Sequence, residues 1–158
     1  MRNRLKTAFL QRKRSRSPLF GDDTLQLIPR EYHNLSYGLG DCNVYVFDIC
    51  SPKGWIMGEI ALRIGEGDGL YYLGHIGYHI DPPYQGHHYS ATACRLVLPM
   101  FRDEGFHSLV ITTDPDNLPS QKICLRVGCI PEALVKVPQW ARKAYSMGEE
   151  KQRFILCF

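Results

Sequence analysis

Apolar and polar side chains alternate along Asn43–Cys50 and again along Trp55–Ile64, with the two-residue period of a half-buried strand. Ser51-Pro52-Lys53-Gly54 between them has turn composition, so the pair predicts a β-hairpin. A Gly-Glu-Gly-Asp-Gly run at residues 65–69 turns the chain into a third strand, Leu70–Ile80, completing an antiparallel meander. Upstream, Thr24–Ile28 reads as a short strand ended by Pro29, since proline cannot donate to a ladder. The period then changes: Tyr89, Ala93, Leu96, Val97 and Met100 fall three or four apart, marking a helix from about Gly86 to Glu104. Pro99 inside it predicts a kink near Arg95–Pro99 or an early end. Ser108–Thr113 is the next strand, expected parallel to Leu70–Ile80 because a helix-length crossover separates them. Leu118–Val127 predicts a second helix stopped by Gly128, and Ala133–Val137 with Gln152–Cys157 predict closing antiparallel strands. The connection 138–151 carries Trp140 and Tyr145, which could shape an acceptor pocket or simply pack on the surface.

Gly74 to Ser90 is the most informative stretch, because strand, Pro-Pro break, glycine turn and helix start meet there. The first turn of a helix leaves four backbone N–H groups unpaired at the positive end of its dipole, which suits a phosphate. A diphosphate would fit this seat, although an ordinary strand-to-helix junction has the same local pattern.

Ile80, Pro82, Tyr84 and Gln85 match a known signature, Val/Ile-x-Pro, two residues, then Gln/Arg-x-x-Gly-x-Gly/Ala. Here the stretch resembles the coenzyme-A-binding core of the GNAT superfamily of acyl-CoA N-acyltransferases. Downstream, Thr112-Thr113-Asp114-Pro115-Asp116-Asn117-Leu118-Pro119-Ser120, with Ile123 and Gly128, is similar to the strand-Asn-helix-Gly portion of the same fold. The resemblance covers residues 55–130 closely and the remainder by strand order. Two departures stand out: His88 occupies the place of the second glycine, and Ser90 that of the final Gly or Ala. Both side chains can donate hydrogen bonds to phosphate oxygens.

The resemblance implies an α/β fold with a strongly twisted mixed sheet of six to seven strands and helices on both faces. It implies one acyltransferase domain over residues 21–158, following the basic segment over residues 1–20 that the charge distribution marks. Between Pro29 and Asn43 the chain is too short for the two helices GNAT proteins often insert, so the acceptor side should be open or completed by another subunit. The implied activity is direct transfer of an acetyl group from acetyl-CoA to a primary amine; the alternative is a non-catalytic CoA-binding regulatory module. Backbone at Tyr78 and Ile80 would hold the pantetheine arm, and Gln85, Gly86, His87, His88, Tyr89 and Ser90 the diphosphate. Asn117 matches the family asparagine after the second parallel strand, or caps the following helix. Glu59, His79 and His75 are the candidate bases, since Gly74 stands where many members carry glutamate. Tyr78 is a candidate proton relay. Cys124 stands where the family often has the tyrosine that protonates the thiolate; it could serve, as could Tyr84, Tyr89 or Tyr145, though a buried thiol is the simpler reading. Ser120 reads as structural, having no evident base partner. His75 and His79 share a strand face near His87 and His88, but no third ligand is placed by spacing, and no metal is expected.

The chain has 158 residues, 44% hydrophobic and 22% charged, with no apolar run long enough to span a bilayer, as expected of one cytoplasmic domain. Net charge is +3 but uneven: residues 1–16 hold seven Lys or Arg and no acid, leaving twelve basic against sixteen acidic residues. Such a start could contact nucleic acid, yet a short cationic run more often forms a solvated tail, with Leu5, Ala8 and Phe9 giving a helical turn or two. The six cysteines include no Cys-x-x-Cys pair and read as buried reduced thiols. The terminal strand Gln152–Phe158 offers an edge through which two copies could pair as a homodimer.

Overall fold

The computed structural model describes residues 2–35 and 41–158. Helix α1 (Arg2–Ser15) precedes a two-residue strand β1 (Phe20–Gly21), then β2 (Gln26–Leu35), β3 (Asp41–Cys50) and β4 (Ile56–Glu66). Helix α2 (Asp68–Leu73) leads into β5 (Ile76–Ile80), a 3-10 turn at Pro82–Tyr84, and α3 (Tyr89–Asp103). Strand β6 (Ser108–Thr113), α4 (Leu118–Val127), β7 (Ile130–Lys136), α5 (Gln139–Tyr145) and β8 (Glu150–Cys157) complete the chain. Five strands form one sheet in the order β1-β2-β3-β4-β5, and three form a second in the order β6-β8-β7.

Alternation along the strands sorts side chains onto two faces. Tyr45, Phe47 and Ile49 of β3, with Ile60 and Leu62 of β4, join the main core against α3 and α4; Cys42, Val44 and Val46 turn to a second cluster with Leu70 of α2. The expected helices on both faces follow from this split. The hairpin turn is closed by Ser51 N–H to Trp55 O and Gly54 N–H to Ser51 O, both 2.8 Å.

Several local expectations are corrected. Leu70–Leu73 is helix, not strand, because Leu70 is drawn into the second core. β2 runs through Pro29: Leu27 turns its carbonyl to Leu19, and Pro29 faces the same side past the end of β1, so no ladder bond is lost. Strand fills both ends of the 29–43 interval, and residues 36–40 lie outside the described residues. α3 continues through Pro99 to Asp103; Pro99 is exposed while Val97, Met100 and Phe101 hold the helix to the core. Gln152–Phe158 offers no free edge over β8, which is paired on one side to β6 and on the other to β7.

The basic start is not a loose tail. α1 spans 14 residues and packs Phe9, 0% exposed, against Tyr45 and Phe47 at ring distances of 5.2 and 5.1 Å. Phe9→Ala is expected to lower the unfolding free energy by about 3–5 kcal/mol in a urea titration, the usual cost of emptying an aromatic core site. A loss below about 1 kcal/mol would mean that α1 contributes little to the core.

The expected parallel pairing of the fifth and sixth strands is also reduced. No ladder joins β5 to β6 among the described residues; the backbones meet where His75 N–H donates to Val110 O at 2.7 Å. Gly74 makes this approach possible. Its φ is +76°, and a Cβ there would lie 3.0 Å from Thr112 N and 3.1 Å from Val110 O. A glutamate at this position would be strained by that φ and would press its Cβ against the β6 backbone.

Candidate active site

Beyond that meeting point the two sheets part. A cleft of about 930 Å³ opens between the end of β5, the start of α3 and α4. Ladder phase decides what β5 shows to it. Asp81 N–H donates to Met57 O and Arg63 N–H to His75 O, each 2.8 Å, so Gly77 and His79 turn their backbone groups to β4. Ile76, Tyr78 and Ile80 turn theirs to the gap. The Ile80 carbonyl accepts from Gln85 Nε2 at 2.9 Å, which braces the following turn. That side-chain amide is therefore committed to the loop.

All eight residues expected at the cofactor line the cleft: Ile80, Gln85, Gly86, His87, His88, Tyr89, Ser90 and Asn117. α3 begins three residues later than expected, at Tyr89, with His88 at its N-cap in the left-handed region, φ 62°. No side chain caps this end, so its first-turn amides are left for a ligand or solvent. A non-glycine residue held at positive φ costs roughly 1 kcal/mol, a strain typical of functional sites. Asn117 caps α4, its Oδ1 accepting from Ser120 N–H at 3.2 Å.

The candidate acid and base residues separate. Tyr78 lines the cleft and its hydroxyl lies 2.8 Å from Ser120 Oγ and 4.0 Å from Cys124 Sγ. Burial holds the Tyr78 phenol protonated far above the ordinary tyrosine range, and pushes the Cys124 thiol up to about 12. His79 also lines the cleft, its Nε2 3.4 Å from Asp81 Oδ1. Glu59 does not. Its carboxylate lies 2.6 Å from Arg30 Nη2, and Arg30 also binds Asp48 at 2.8 Å and Glu31 at 3.3 Å. The Glu59 hydrogen bond, ahead of Asp48, raises the Arg30 pKa.

His75 is half-buried and does not line the cleft. Its Nδ1 accepts from Val110 N–H at 2.9 Å, and its ring packs edge-on to Phe101 and Phe106. Burial lowers its pKa from the ordinary 6.5, reinforced by Arg153 and Arg63 and opposed by Glu66 and a bond to the Gly65 backbone. A depressed folded value means that the unfolded chain binds the proton more readily, so stability present above pH 6.5 is lost as pH falls below it. Urea midpoints should show this acid leg, and His75→Asn, whose oxygen replaces Nδ1 as acceptor, should flatten it. An unchanged leg would assign it to other groups.

Sequence reasoning missed two charged contributors to the cleft wall, Lys122 and Arg126, one turn apart on α4; Ser120, read as structural, lines the cleft with them. Their i, i+4 spacing after Asn117 was the available signal. No group of three His, Cys, Asp or Glu side chains placed to hold a metal exists among the described residues. All six cysteines are free, five of them buried and Cys157 exposed. No helix among the described residues is long and apolar enough to cross a membrane.

Residues 16–130 match a family described as the acetyltransferase (GNAT) domain. An uncharacterized N-acetyltransferase of Bacillus subtilis (strain 168), YnaD, is 28% identical over 103 residues, covering 61% of this chain and 59% of the relative. Among solved structures, the microcin C7 self-immunity acetyltransferase MccE, in complex with acetyl-CoA and AMP, superposes with a TM-score of 0.57 at 19% identity. That match covers 73% of this chain and 61% of MccE. An acetyltransferase from Salmonella typhimurium that modifies the N-terminal serine of ribosomal protein L7/L12 gives a TM-score of 0.57 at 17% identity, covering 73% and 64%. These two likenesses are of fold. The chain spans about three fifths of the length of each of the three.

Proposed function

The chain belongs to the GNAT acetyltransferase family, and from that premise we propose that it transfers an acetyl group from acetyl-CoA to a primary amine by direct attack in a ternary complex. The observation that carries this reading is the outward-facing backbone of Tyr78 and Ile80 beside an uncapped helix start. Strand amides without ladder partners can pair with the amide-bearing pantetheine arm and polarise a thioester carbonyl, the point where charge develops as nitrogen attacks. One turn away, the amides of Tyr89 and Ser90 with His87 and His88 suit the diphosphate, while Lys122 and Arg126 add positive charge on the opposite wall.

As the amine nitrogen bonds to the carbonyl carbon and the carbon–sulfur bond breaks, one proton must leave nitrogen and one must reach sulfur. His79 is the base in this reading, since it lines the cleft beside Asp81 while Glu59 is held by Arg30. Tyr78 is the acid in this reading: as its phenol gives its proton to the departing sulfur it takes the Ser120 hydroxyl proton across the 2.8 Å contact, so no phenolate forms, and Ser120, which lines the cleft, is reprotonated from solvent. Cys124, buried below both, is left as a structural thiol. Six free cysteines support a reducing, cytoplasmic setting.

Glu59 tied to Arg30 and the crowded Gly74 favour one rival, a CoA-binding regulatory module without turnover. Calorimetric titration with acetyl-CoA, followed by a thiol-release assay over a panel of amines, separates them. Binding with turnover supports the transferase, binding without turnover on any amine supports the module, and no binding at millimolar ligand removes both.

A further inference from the structure

The exposed end of α1 is the largest charged feature that acetyl transfer leaves unused. Arg12, Lys13, Arg14 and Arg16 are all exposed, and no ion-pair partner is found for any of them among the described residues. Nothing acidic lies within residues 1–16, whereas the rest of the chain is net acidic. A solvated helix face ordinarily interleaves acids with bases, and the last turn of α1 carries bases alone. The negative end of the helix dipole accounts for one or two of these cations, not for all four.

Two further features set the cluster apart from a mobile tail. Phe9 clamps the helix to the sheet, so the cations project from a fixed position. At the helix end, Ser17 N–H donates to Arg12 O at 3.1 Å and Arg16 N–H to Lys13 O at 3.3 Å, a closure whose left-handed residue is usually glycine. Here that residue is Arg16, with φ 51°. A cation stands where the backbone disfavours a side chain.

At about 100° per residue, Arg12, Lys13 and Arg14 point three ways around the last turn, and Arg16 follows in the left-handed closure, so the cations line no single face. A helix lying on a membrane needs an apolar face opposite its cations, and this turn has none. A polyanion that wraps or grooves around a protruding turn fits better.

We propose that the last turn of α1 binds the phosphodiester backbone of a nucleic acid, independently of the acetyl-transfer site. Fluorescence anisotropy of the full chain with a short oligouridylate and with a short DNA duplex, across a salt series, tests it and tells the two polymers apart. Binding should weaken steeply with salt, and R12Q/K13Q/R14Q/R16Q should reduce the log–log salt slope by about three to four and affinity by at least about tenfold. K53Q/R102Q/K136Q/K143Q, which removes as many cations elsewhere, should change little. Arg16→Gly keeps the variant folded by restoring the residue the backbone favours; it should raise Tm and still weaken binding. Absence of salt-dependent binding to either polymer overturns the proposal, as does equal loss in the two fourfold variants. So does binding only to phosphatidylserine vesicles.

Discussion

Tyr78→Phe is expected to lower kcat about a hundredfold or more while leaving the Kd for acetyl-CoA within about twofold. The phenol is removed and nothing else on β5 changes: the backbone of Tyr78 and Ile80 still faces the gap, and the ring still fills its place beside α4. The hydroxyl meets Ser120 Oγ at 2.8 Å in a half-buried setting, so its loss leaves Ser120 able to turn to solvent and costs little stability. Because burial keeps this phenol protonated well above the tyrosine range, Tyr78 sets no alkaline limit on the parent enzyme between pH 7 and its folded pKa. Steady-state kinetics with thiol detection checks the prediction. A variant with unchanged kcat would take the thiolate's proton source away from Tyr78, and equal losses in affinity and rate would mark it as a binding residue.

The second large effect is expected from reversing charge on α4. Lys122→Glu with Arg126→Glu should weaken acetyl-CoA binding at least about a hundredfold, since each lost charge-assisted contact to phosphate is worth roughly 1.5–3 kcal/mol and the new carboxylates repel. Both side chains are exposed, so stability should hold. The backbone carbonyl of Arg126, which accepts from Arg95, is retained in the variant. The parent's affinity should also fall with ionic strength, as expected of partly exposed charges. Calorimetry at two salt concentrations checks both. Parent-like affinity in the double variant would leave the phosphates to α3 alone.

Much of this architecture was legible because it is local. The Ser51–Gly54 turn, the helix stop at Gly128 and the strand–turn–helix order around Pro82 all depend on neighbouring residues, and the structure reproduces them. Failures came where a distant contact outweighed local preference. Aromatic residues at 70–73 favour strand until Leu70 finds the second core. Phe9 sits among a few apolar residues in a cationic segment, and its burial depends on β3 more than thirty residues later. The phase of Pro29 on β2 is invisible without knowing where β1 ends.

The site divides in the same way. The proposed anion seat is contiguous in sequence, and all eight residues expected at the cofactor line the cleft. Its acid and base candidates are not contiguous, and spacing could not rank them. Glu59 looked available until Arg30, on β2, reached across β3 to hold it. Ser120 lacked a partner until Tyr78, 42 residues earlier, met it across the gap. Gly74 stands where the resemblance leads one to expect glutamate, and the approach of β6 that crowds this position is revealed only by the fold.

Backbone amide shifts recorded as acetyl-CoA is added test the cofactor seat most directly. The account predicts that the amides of Tyr78, Ile80, Tyr89 and Ser90 move together and saturate with one Kd, while those of the β2–β3 ladder stay still. Movement confined to residues away from the gap, or no movement at millimolar ligand, would contradict it.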